Sequence, residues 1–547
     1  MKIERILIED QMAPIGLDEK KPAFSWLLTA EEGEQNLMQS ACRIVVRTGE
    51  DTVWDSGKME TGVSTGIGYE GEALQPCTKY EVKAEVWDNH GGKAEAESSF
   101  ETGLMDSLYA AWEGAEWIGA PHATVCAENR GVFTIESEFR MEGGKGEAGI
   151  VFGANDFRLN DHTKNELGME GENYIRYAVC LEDGDARLEI YRVGYAPEDT
   201  AEKPFAVTKL VNWKEKTQEI LTPENADAFH KLTVEVDGNV AYAYVDGILV
   251  DAIEEHGFFG TKVSGRQLNP RGNNDVLPYP RLNEIGFYAG KGTTGYFKNL
   301  TVRNVRKPSA EIVRETPEGR LDGGKSIFAD QIPVENGYFK VEDSQITADP
   351  SHHSIPMLRS CISCQKEKKL ASARLYITAR GIYDCRINGQ EITKDLLRPG
   401  LTQYDHRMNY QTYDITGLMK PGRNGIGVTL ASGWWSEAQT FVVKNFNYFG
   451  DKESLLAKVV MKYEDGSREV FGTNTEDWKY FGEGPYLFSS YFAGEQYDAR
   501  RAEVYETYSL PEFDDSTWEK PVVVDTVMIE AVSYTHLRAH ETAANLV

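Results

Sequence analysis

The stretch that decides the fold class is LTVEVDGNVAYAYVDGILV, residues 232–250. Apolar side chains alternate with others along its first two segments, which is the period of a half-buried β-strand. The segments end at Asp-Gly pairs, beginning at Asp237 and Asp246. Asp-Gly between β-branched and aromatic runs is a strong hairpin signal. The stretch therefore predicts a pair of antiparallel hairpins.

The same alternation continues on both sides of this stretch, and helical periodicity over a dozen residues is hard to find. At roughly 150 residues per domain, 547 residues make three to four domains. Hydrophobic residues (41%) and aromatic residues (11%) suffice for real cores. The 51 glycines and 27 tyrosines agree with many strands joined by tight turns. We predict an all-β chain of three consecutive β-sandwich or jelly-roll domains.

The charge of the chain limits its partners. Lys and Arg total 58 against 87 Asp and Glu, for a formal net charge of −29. Such a field repels phosphate backbones and anionic lipids, so nucleic acids and membrane surfaces are poor partners. No segment approaches the ~20 apolar residues of a membrane span. The first ten residues lack the apolar core of a secretory signal, and we expect a cytoplasmic protein.

Seven cysteines are scattered along the chain, and Cys361 and Cys364 form one CxxC pair. The pair could be a redox motif or half of a zinc site. A closed zinc site needs two more ligands at suitable spacing, which favours two ordinary thiols in a strand or loop. Reduced thiols agree with a cytoplasmic location.

Residues 1–104 read as one small fibronectin-type sandwich, because runs with one apolar face are separated by turn signals. Three motifs within it are PAFSW from Pro22, VWDSGK from Val53, and a Leu-x-Pro-x-Thr-x-Tyr run that ends at Tyr80. In this order they resemble the first domain of bacterial α-L-rhamnosidases of glycoside hydrolase family 78. The resemblance guides the interpretation of the rest of the chain.

Residues 116–306 form the second predicted unit. Its long strands, its VDG hairpin and its last strand, GYFKNLTV from Gly295, resemble concanavalin-like or laminin-G-like jelly rolls. Such jelly rolls commonly bind sugars, and in some members of family 78 one is inserted here as a rhamnose-binding module. The resemblance is one of fold and implies a carbohydrate-binding role by analogy.

The third predicted unit covers residues 335–530. ARLYITARGIYDCRING from Ala373, LRPGLTQYDHR from Leu397 and GWWS from Gly433 follow each other in the order of the family's N-terminal sandwich. Residues 533–547 contain SYTHLRAHET, which resembles a translated sequencing-adapter read-through, and we expect a non-native tail without packed contacts. His536 and His540 could share a metal on a helix, but their spacing in such a tail is read as accidental.

The resemblance implies hydrolysis of terminal α-L-rhamnose with inversion. Inverting glycosidases hold two carboxyl groups ~6.5–9.5 Å apart, and family 78 carries them in an (α/α)6 barrel that would begin near residue 530. No helical repeats follow the third unit, so we name no catalytic residue and expect a truncated chain that is inactive alone. The absent barrel would pack on the third sandwich, rhamnose-containing glycosides would be the ligands, and no organic cofactor is implied. The alternative is a stand-alone carbohydrate-binding or scaffold protein.

The clearest polar cluster lies in the second unit. Asn155 and Asp156, with Asn160 and Asp161, offer oxygens within seven residues, and Glu172 or Asn173 could join them. Calcium takes six to eight such oxygens, and the resemblance implies calcium-bridged sugar recognition. The other interpretation is that Asn and Asp simply favour turns. Three further side chains could line the same face or merely pack on it: Tyr174, Arg176 and Tyr191.

Two clusters in the third unit are also candidates. Trp434 and Trp435 could form a sugar-stacking platform, or they could be buried at the junction with the absent barrel. Glu495, Asp498 and Arg500 could reach a ligand, or they could form a salt-bridged loop. We predict sugar contacts from Asn155, Asp156, Tyr174, Trp434 and Trp435, and metal ligation from Asn155 and Asp156.

Overall fold

The structure is a computed structural model, and it confirms the all-β prediction. The two α-helices with described bounds are short, Gly433–Ser436 (α1) and Ala502–Thr507 (α2). Single 3-10 turns lie at Tyr109–Trp112, Glu142–Gly144, Thr416–Leu418 and Ala499–Arg501. The described residues are 1–121, 132–155, 172–182, 185–196, 199–206, 221, 224–237, 240–250, 263–264, 268, 282–305, 307–321, 324–350, 354–436, 449–450, 452–491, 494–524 and 530–533.

The first unit is a sandwich of two antiparallel sheets, ordered β1-β2-β5 and β4-β3-β6-β7. Its apolar face residues, among them Trp26 and Tyr80, are buried between the sheets. Its strands are Lys2–Ile8 (β1), Ala23–Thr29 (β2), Gln39–Thr48 (β3), Asp51–Asp55 (β4), Ile67–Gly68 (β5), Lys79–Asp88 (β6) and Lys93–Glu101 (β7). A two-residue strand, Ile118–Gly119 (β8), follows and belongs to a later sheet.

The second unit packs a six-stranded sheet, β13-β12-β11-β10-β18-β25, on a larger one built around β9 and β14. Its strands are Val132–Met141 (β9), Gly146–Ala154 (β10), Tyr174–Glu182 (β11), Asp185–Val193 (β12), Phe205–Ala206 (β13), His230–Asp237 (β14), Val240–Val245 (β15), Ile248–Leu249 (β16), Val263–Ser264 (β17), Glu284–Ala289 (β18), Thr294–Phe297 (β19), Leu300–Asn304 (β20), Lys307–Thr316 (β21), Gly319–Arg320 (β22), Val334–Glu335 (β23), Tyr338–Glu342 (β24) and Gln345–Ala348 (β25). The hairpin predicted from residues 232–250 is present as β14 to β16.

Strand pairing carries this unit past the predicted boundary at residue 306. β21 pairs with β20, β24 pairs with β19, and β25 pairs with β18. These contacts assign residues 307–348 to the sheets of the second unit, although the sequence predicts the end of that unit at residue 306 and the start of the third at residue 335. The alternation of β24 and β25 is local, whereas the sheet that each strand joins depends on partners about fifty residues away.

The third unit has a five-stranded sheet, β29-β28-β31-β26-β34, facing a second sheet ordered β37-β8-β32-β27-β30-β38. Its further strands are Met357–Cys364 (β26), Leu370–Arg380 (β27), Ile382–Ile387 (β28), Gln390–Glu391 (β29), Arg407–Asp414 (β30), Gly422–Ala431 (β31), Ser454–Tyr463 (β32), Arg468–Gly472 (β33), Lys479–Phe481 (β34), Tyr486–Ser490 (β35), Gly494–Tyr497 (β36), Val522–Val523 (β37) and Glu530–Ser533 (β38). Because β8 pairs with β32 and β37, the second unit is inserted between two strands of the third.

The segment that connects β7 to β8 packs on the third unit. It contributes Leu104, Trp112 and Trp117 to a buried cluster with aromatic side chains of the third sandwich. Those partners are Tyr376, Tyr404, Tyr410 and Trp435. The first and third units are therefore in direct contact, although the second lies between them in sequence.

Cys361 and Cys364 both lie on β26. An odd spacing on a strand points side chains to opposite faces, and Cys364 lies in the core while Cys361 lies outside it. The arrangement supports the interpretation as ordinary thiols. All six cysteines in the described ranges are free. Within the same ranges, no helix has the length and apolar character needed to span a bilayer.

Candidate functional site

The outer face of the six-stranded sheet gathers the predicted ligand residues of the second unit. Alternation along β11 sends Ile175 and Tyr177 into the core, and it leaves Tyr174 and Arg176 on the opposite face. Arg176 is directly opposite Tyr191 of β12. The three side chains that the sequence placed together thus share one face.

Arg176 lies between two tyrosine rings. Its guanidinium carbon is 5.0 Å from the ring centroid of Tyr191 and 3.9 Å from that of Tyr288 on β18. Gly149 of β10, which pairs with Tyr288, has no side chain to separate them. Tyr288 was missed at the level of sequence, because its register against β11 depends on β10 lying between the two strands.

Two carboxylates fix these rings. The Tyr288 hydroxyl donates to Glu147 Oε2 at 2.8 Å, and the Tyr191 hydroxyl donates to Glu189 Oε2 at 2.7 Å. Burial raises the pKa of both phenols above the ordinary value. They therefore stay protonated at neutral pH. The face presents a cation between two aromatic rings, flanked by two acidic groups.

The turn after β10 holds the predicted calcium residue Asn155. Gly153 (φ +62°) and Asn155 (φ +50°) both have left-handed backbone conformations, which Gly and Asn tolerate. The Asn155 amide nitrogen Nδ2 donates to Glu284 Oε2 at 2.8 Å, and its backbone N–H donates to the Asn173 carbonyl at 3.0 Å. Asp156, Asn160 and Asp161 lie outside the described residues.

Asn173 supplies an unsatisfied oxygen close to this turn. Its Nδ2 donates to the Gly153 carbonyl at 2.8 Å, and its Oδ1 is buried without a hydrogen-bond partner among the residues that the structure describes. A buried acceptor of this kind normally finds a donor or a cation. Asn155, Asn173 and Glu284 together offer only oxygen ligands, which is the set that calcium prefers. The ligand type suits calcium, and calcium binding at this turn stays a prediction.

A second acidic group lies on the same face. Ligand atoms of Glu147, Cys180 and Glu189 are all within 4.8 Å of one another. The Cys180 side chain is 3% exposed, and burial raises its thiol pKa to about 12. Metals bind the thiolate, so metal binding here would require loss of the thiol proton.

The two tryptophans of the third unit differ in environment. Trp435 is 6% exposed, with Tyr404 and Phe449 at 5.8 Å and 6.4 Å between ring centroids. A ring buried in this way has no free face for a sugar. The side chains that cover Trp435 belong to this chain, so its burial does not test the predicted junction with the absent barrel. Trp434 is half-buried, packs 4.3 Å from Tyr491 and borders a cleft of about 530 Å³.

The predicted group of Glu495, Asp498 and Arg500 also contains residues in different environments. Asp498 accepts two side-chain hydrogen bonds of 2.8 Å from Arg500, which lower the pKa of Asp498 to about 2. These two residues form the salt-bridged loop that was one of the two interpretations. Glu495 instead borders a second cleft of about 630 Å³. The sequence alone does not distinguish the three, because which side chain turns inward depends on the β35–β36 hairpin.

Two segments match domain models of one enzyme family. Residues 3–106 match the Rha78A-like N-terminal immunoglobulin domain, and residues 368–542 match the α-L-rhamnosidase N-terminal domain. The second match runs into the segment 533–547 that the sequence predicts to be a tail. Between the two matches lies most of the inserted second unit.

Curated relatives named α-L-rhamnosidase align with this chain at modest sequence identity. An α-L-rhamnosidase of Streptomyces avermitilis is 27% identical over 523 residues, which are 93% of this chain and 44% of that protein. One of Formosa agariphila is 34% identical over 175 residues, or 31% of this chain and 18% of that protein. The chain thus spans less than half the length of these relatives.

Solved structures support the same fold. The α-L-rhamnosidase of Streptomyces avermitilis complexed with L-rhamnose has a TM-score of 0.54 at 21% identity, covering 97% of this chain and 46% of that one. The α-L-rhamnosidase of Aspergillus terreus has a TM-score of 0.50 at 16% identity, covering 97% and 35%. At these identities the likeness shows the fold alone.

Proposed function

We propose that this chain, which carries the N-terminal domains of the α-L-rhamnosidase family, supplies carbohydrate-binding and domain-packing modules to an enzyme that hydrolyses terminal α-L-rhamnose from glycosides. The observation that carries the proposal is the pair of family matches, at residues 3–106 and 368–542. The similarity to one relative over 93% of the chain supports it. Rhamnose-containing glycosides are the proposed ligands.

The outer face of the inserted second unit is the proposed sugar site. Arg176 offers donors to sugar oxygens, and the phenol oxygens of Tyr191 and Tyr288, whose O–H groups bind Glu189 and Glu147, offer acceptors to sugar hydroxyls. The tyrosine rings offer apolar faces to sugar C–H groups. Calcium would be held by Asn155, Asp156 and the buried Oδ1 of Asn173. When bound, the ion supplies a positive centre for sugar hydroxyls. Tyr174 packs against Val151 and Val193 beside these groups and supports the face.

The third unit is the proposed docking surface for a helical catalytic domain. The loop between β29 and β30 exposes Leu396 (83%), Leu397 (49%) and Leu401 (52%). Neighbouring exposed apolar side chains of this size often mark an interaction surface. Trp434 borders the cleft that Leu396 and Leu397 also line. The surface is expected to promote self-association of this chain in solution.

Calorimetry with L-rhamnose tests the sugar site. We expect weak binding of millimolar sugar in the presence of calcium and loss of binding after chelation. Replacing Asp156 by Ala removes a charged ligand and is expected to abolish the calcium dependence. Asp227→Ala, an exposed aspartate of the same unit that pairs with Arg140 at 3.3 Å, is the matched control. Absence of any rhamnose heat, with or without calcium, would refute the proposed site.

An assay with an aryl α-L-rhamnoside tests whether this chain is inactive by itself. We expect no turnover by the 547-residue chain, because acid–base catalysis needs two preorganised carboxyl groups, each contributing about 10²–10⁴-fold. The family keeps that pair on a helical barrel. Turnover above background, lost on replacement of one acidic residue of this chain, would contradict the proposal.

A further inference from the structure

We propose that the third unit has a carbohydrate site of its own, for a neutral saccharide, in the cleft of about 630 Å³ bordered by Glu495. The cleft lies between β28, the loop after β29, the β35–β36 hairpin and α2. We call it the tyrosine cleft, defined by Tyr486, Tyr491, Tyr505 and Asp384. Its volume falls within the range of small-molecule sites. The proposal does not depend on sugar binding by the second unit.

The walls of the tyrosine cleft are aromatic rings held in fixed positions. Tyr486 packs edge-on against Tyr505 at 5.1 Å and against Tyr497 at 4.9 Å, between ring centroids. Tyr491 packs on Trp434 at 4.3 Å. Each ring therefore has a neighbour that limits its motion. Rings that are already immobile lose little entropy when a sugar packs on them.

A preorganised ion pair lies among these rings. Asp384 Oδ1 accepts from Arg398 Nη2 at 2.7 Å, and its Oδ2 accepts from the Tyr505 hydroxyl at 3.0 Å. The Asp384 side chain is 35% exposed while that of Arg398 is 8% exposed. A carboxylate has about four lone-pair positions, so Asp384 keeps acceptor capacity for sugar hydroxyls. The buried arginine fixes its orientation.

The charge of the lining selects against anionic ligands. Both cations are already paired, since Lys394 Nζ lies 2.5 Å from Glu391 and Arg398 binds Asp384. Acidic residues outnumber them: the lining contains Asp384, Glu391, Asp395 and Glu495. Uronates and sugar phosphates would meet an uncompensated negative field. A neutral saccharide with hydroxyl donors matches both the rings and the carboxylates.

The test uses the full chain with excess chelator, which silences calcium-dependent binding by the second unit. The probe is the disaccharide α-L-rhamnosyl-(1→6)-D-glucose, and digalacturonate is the anionic comparison. We expect measurable binding of the neutral disaccharide by calorimetry and at least tenfold weaker binding of digalacturonate.

Variants locate the binding. Tyr486→Ala and Asp384→Ala are expected to weaken binding at least tenfold. Lys520→Ala, at an exposed lysine of the third unit that pairs with Glu476 and does not line the cleft, is expected to change it less than twofold. Glu495→Gln, at an exposed position, guards against a folding defect in Asp384→Ala and is expected to weaken binding measurably. Melting curves verify each fold. No binding of the disaccharide, or binding that all three cleft variants leave unchanged, would overturn the proposal.

One variant allows the two proposed sites to be refuted independently of each other. Arg176→Ala is expected to abolish calcium-dependent L-rhamnose binding and to leave the chelator-resistant binding of the disaccharide intact. Loss of both signals in Arg176→Ala would assign all binding to the second unit and overturn the tyrosine cleft. Loss of the calcium-dependent signal alone leaves the cleft supported.

Discussion

Arg374 of β27 clasps the carboxylate of Glu101 at the end of β7, with Nε to Oε2 and Nη2 to Oε1 both at 2.6 Å. The two residues are 273 positions apart, and their side chains are 12% and 17% exposed. A paired, planar contact of this kind fixes orientation as well as distance. This contact attaches the first sandwich to the third. The inserted second unit takes no part in the contact.

Breaking this clasp is expected to destabilise the junction. Arg374→Ala leaves the carboxylate of Glu101 partly buried and unpaired, which costs about 2–4 kcal/mol. The control is Lys369→Ala, which breaks the exposed pair with Glu464 at 2.6 Å and is expected to destabilise the chain much less. Thermal unfolding measures both. Equal shifts for the two variants would show that the clasp adds nothing to an exposed ion pair.

Tyr410 is expected to be a second anchor of the same junction. Its buried hydroxyl donates to Asp18 Oδ2 at 2.8 Å and accepts from the Leu104 backbone N–H at 2.7 Å. Tyr410→Phe leaves both groups without this partner, at a cost of about 1–3 kcal/mol. The exposed Tyr497→Phe is the control, and denaturant unfolding is the measurement. A denaturant unfolding curve of Tyr410→Phe that is identical to that of the parent chain would count against the anchor.

The junction is expected to weaken in acid through Glu113. Two hydrogen bonds from Arg468, at 2.8 and 2.6 Å, and one from Lys458, at 3.0 Å, lower the pKa of Glu113 to about 2 from its ordinary 4.5. A carboxyl group with a lowered folded-state pKa adds stability above pH 4.5, and that stability is lost as the pH falls towards 2.

Glu113→Gln is therefore expected to lower the melting temperature at neutral pH. The difference from the parent chain should narrow steadily as the pH falls below 4.5. The exposed Glu318→Gln is the control and should run parallel to the parent at every pH. A difference that stays constant from pH 7 into acid would mean that the charge of Glu113 is not what stabilises this contact.

The tail predicted at residues 533–547 overlaps the last strand at Ser533, and two truncations separate the tail from the strand. β38 (Glu530–Ser533) pairs in parallel with β30, with Ser533 opposite Tyr410. Deleting residues 534–547 is expected to leave the melting temperature unchanged, and deleting 530–547 is expected to lower it by removing strand hydrogen bonds. A drop of several degrees for the shorter deletion would show that the tail is structural.

The strand content and many of the individual strands could be predicted from the amino-acid sequence. Alternation along residues 373–387 and the Asp-Gly turns at Asp237 and Asp246 depend only on neighbours a few positions away. Local signals of this kind can be recognised in the sequence alone, and the structure has strands where they predict them, namely β14 to β16, β27 and β28. The short family motifs added the likeness to rhamnosidases in the same way.

The pairing of distant strands and the burial of particular faces could be seen only in the folded chain. β8 joins β32 across the whole inserted unit, Tyr288 reaches Arg176 over Gly149, and Trp435 is buried while its neighbour Trp434 borders a cleft. Two-residue alternation indicates that one face of a strand is apolar, but it does not indicate which distant strand covers that face. Pairing between remote segments is set by the packing of the whole chain.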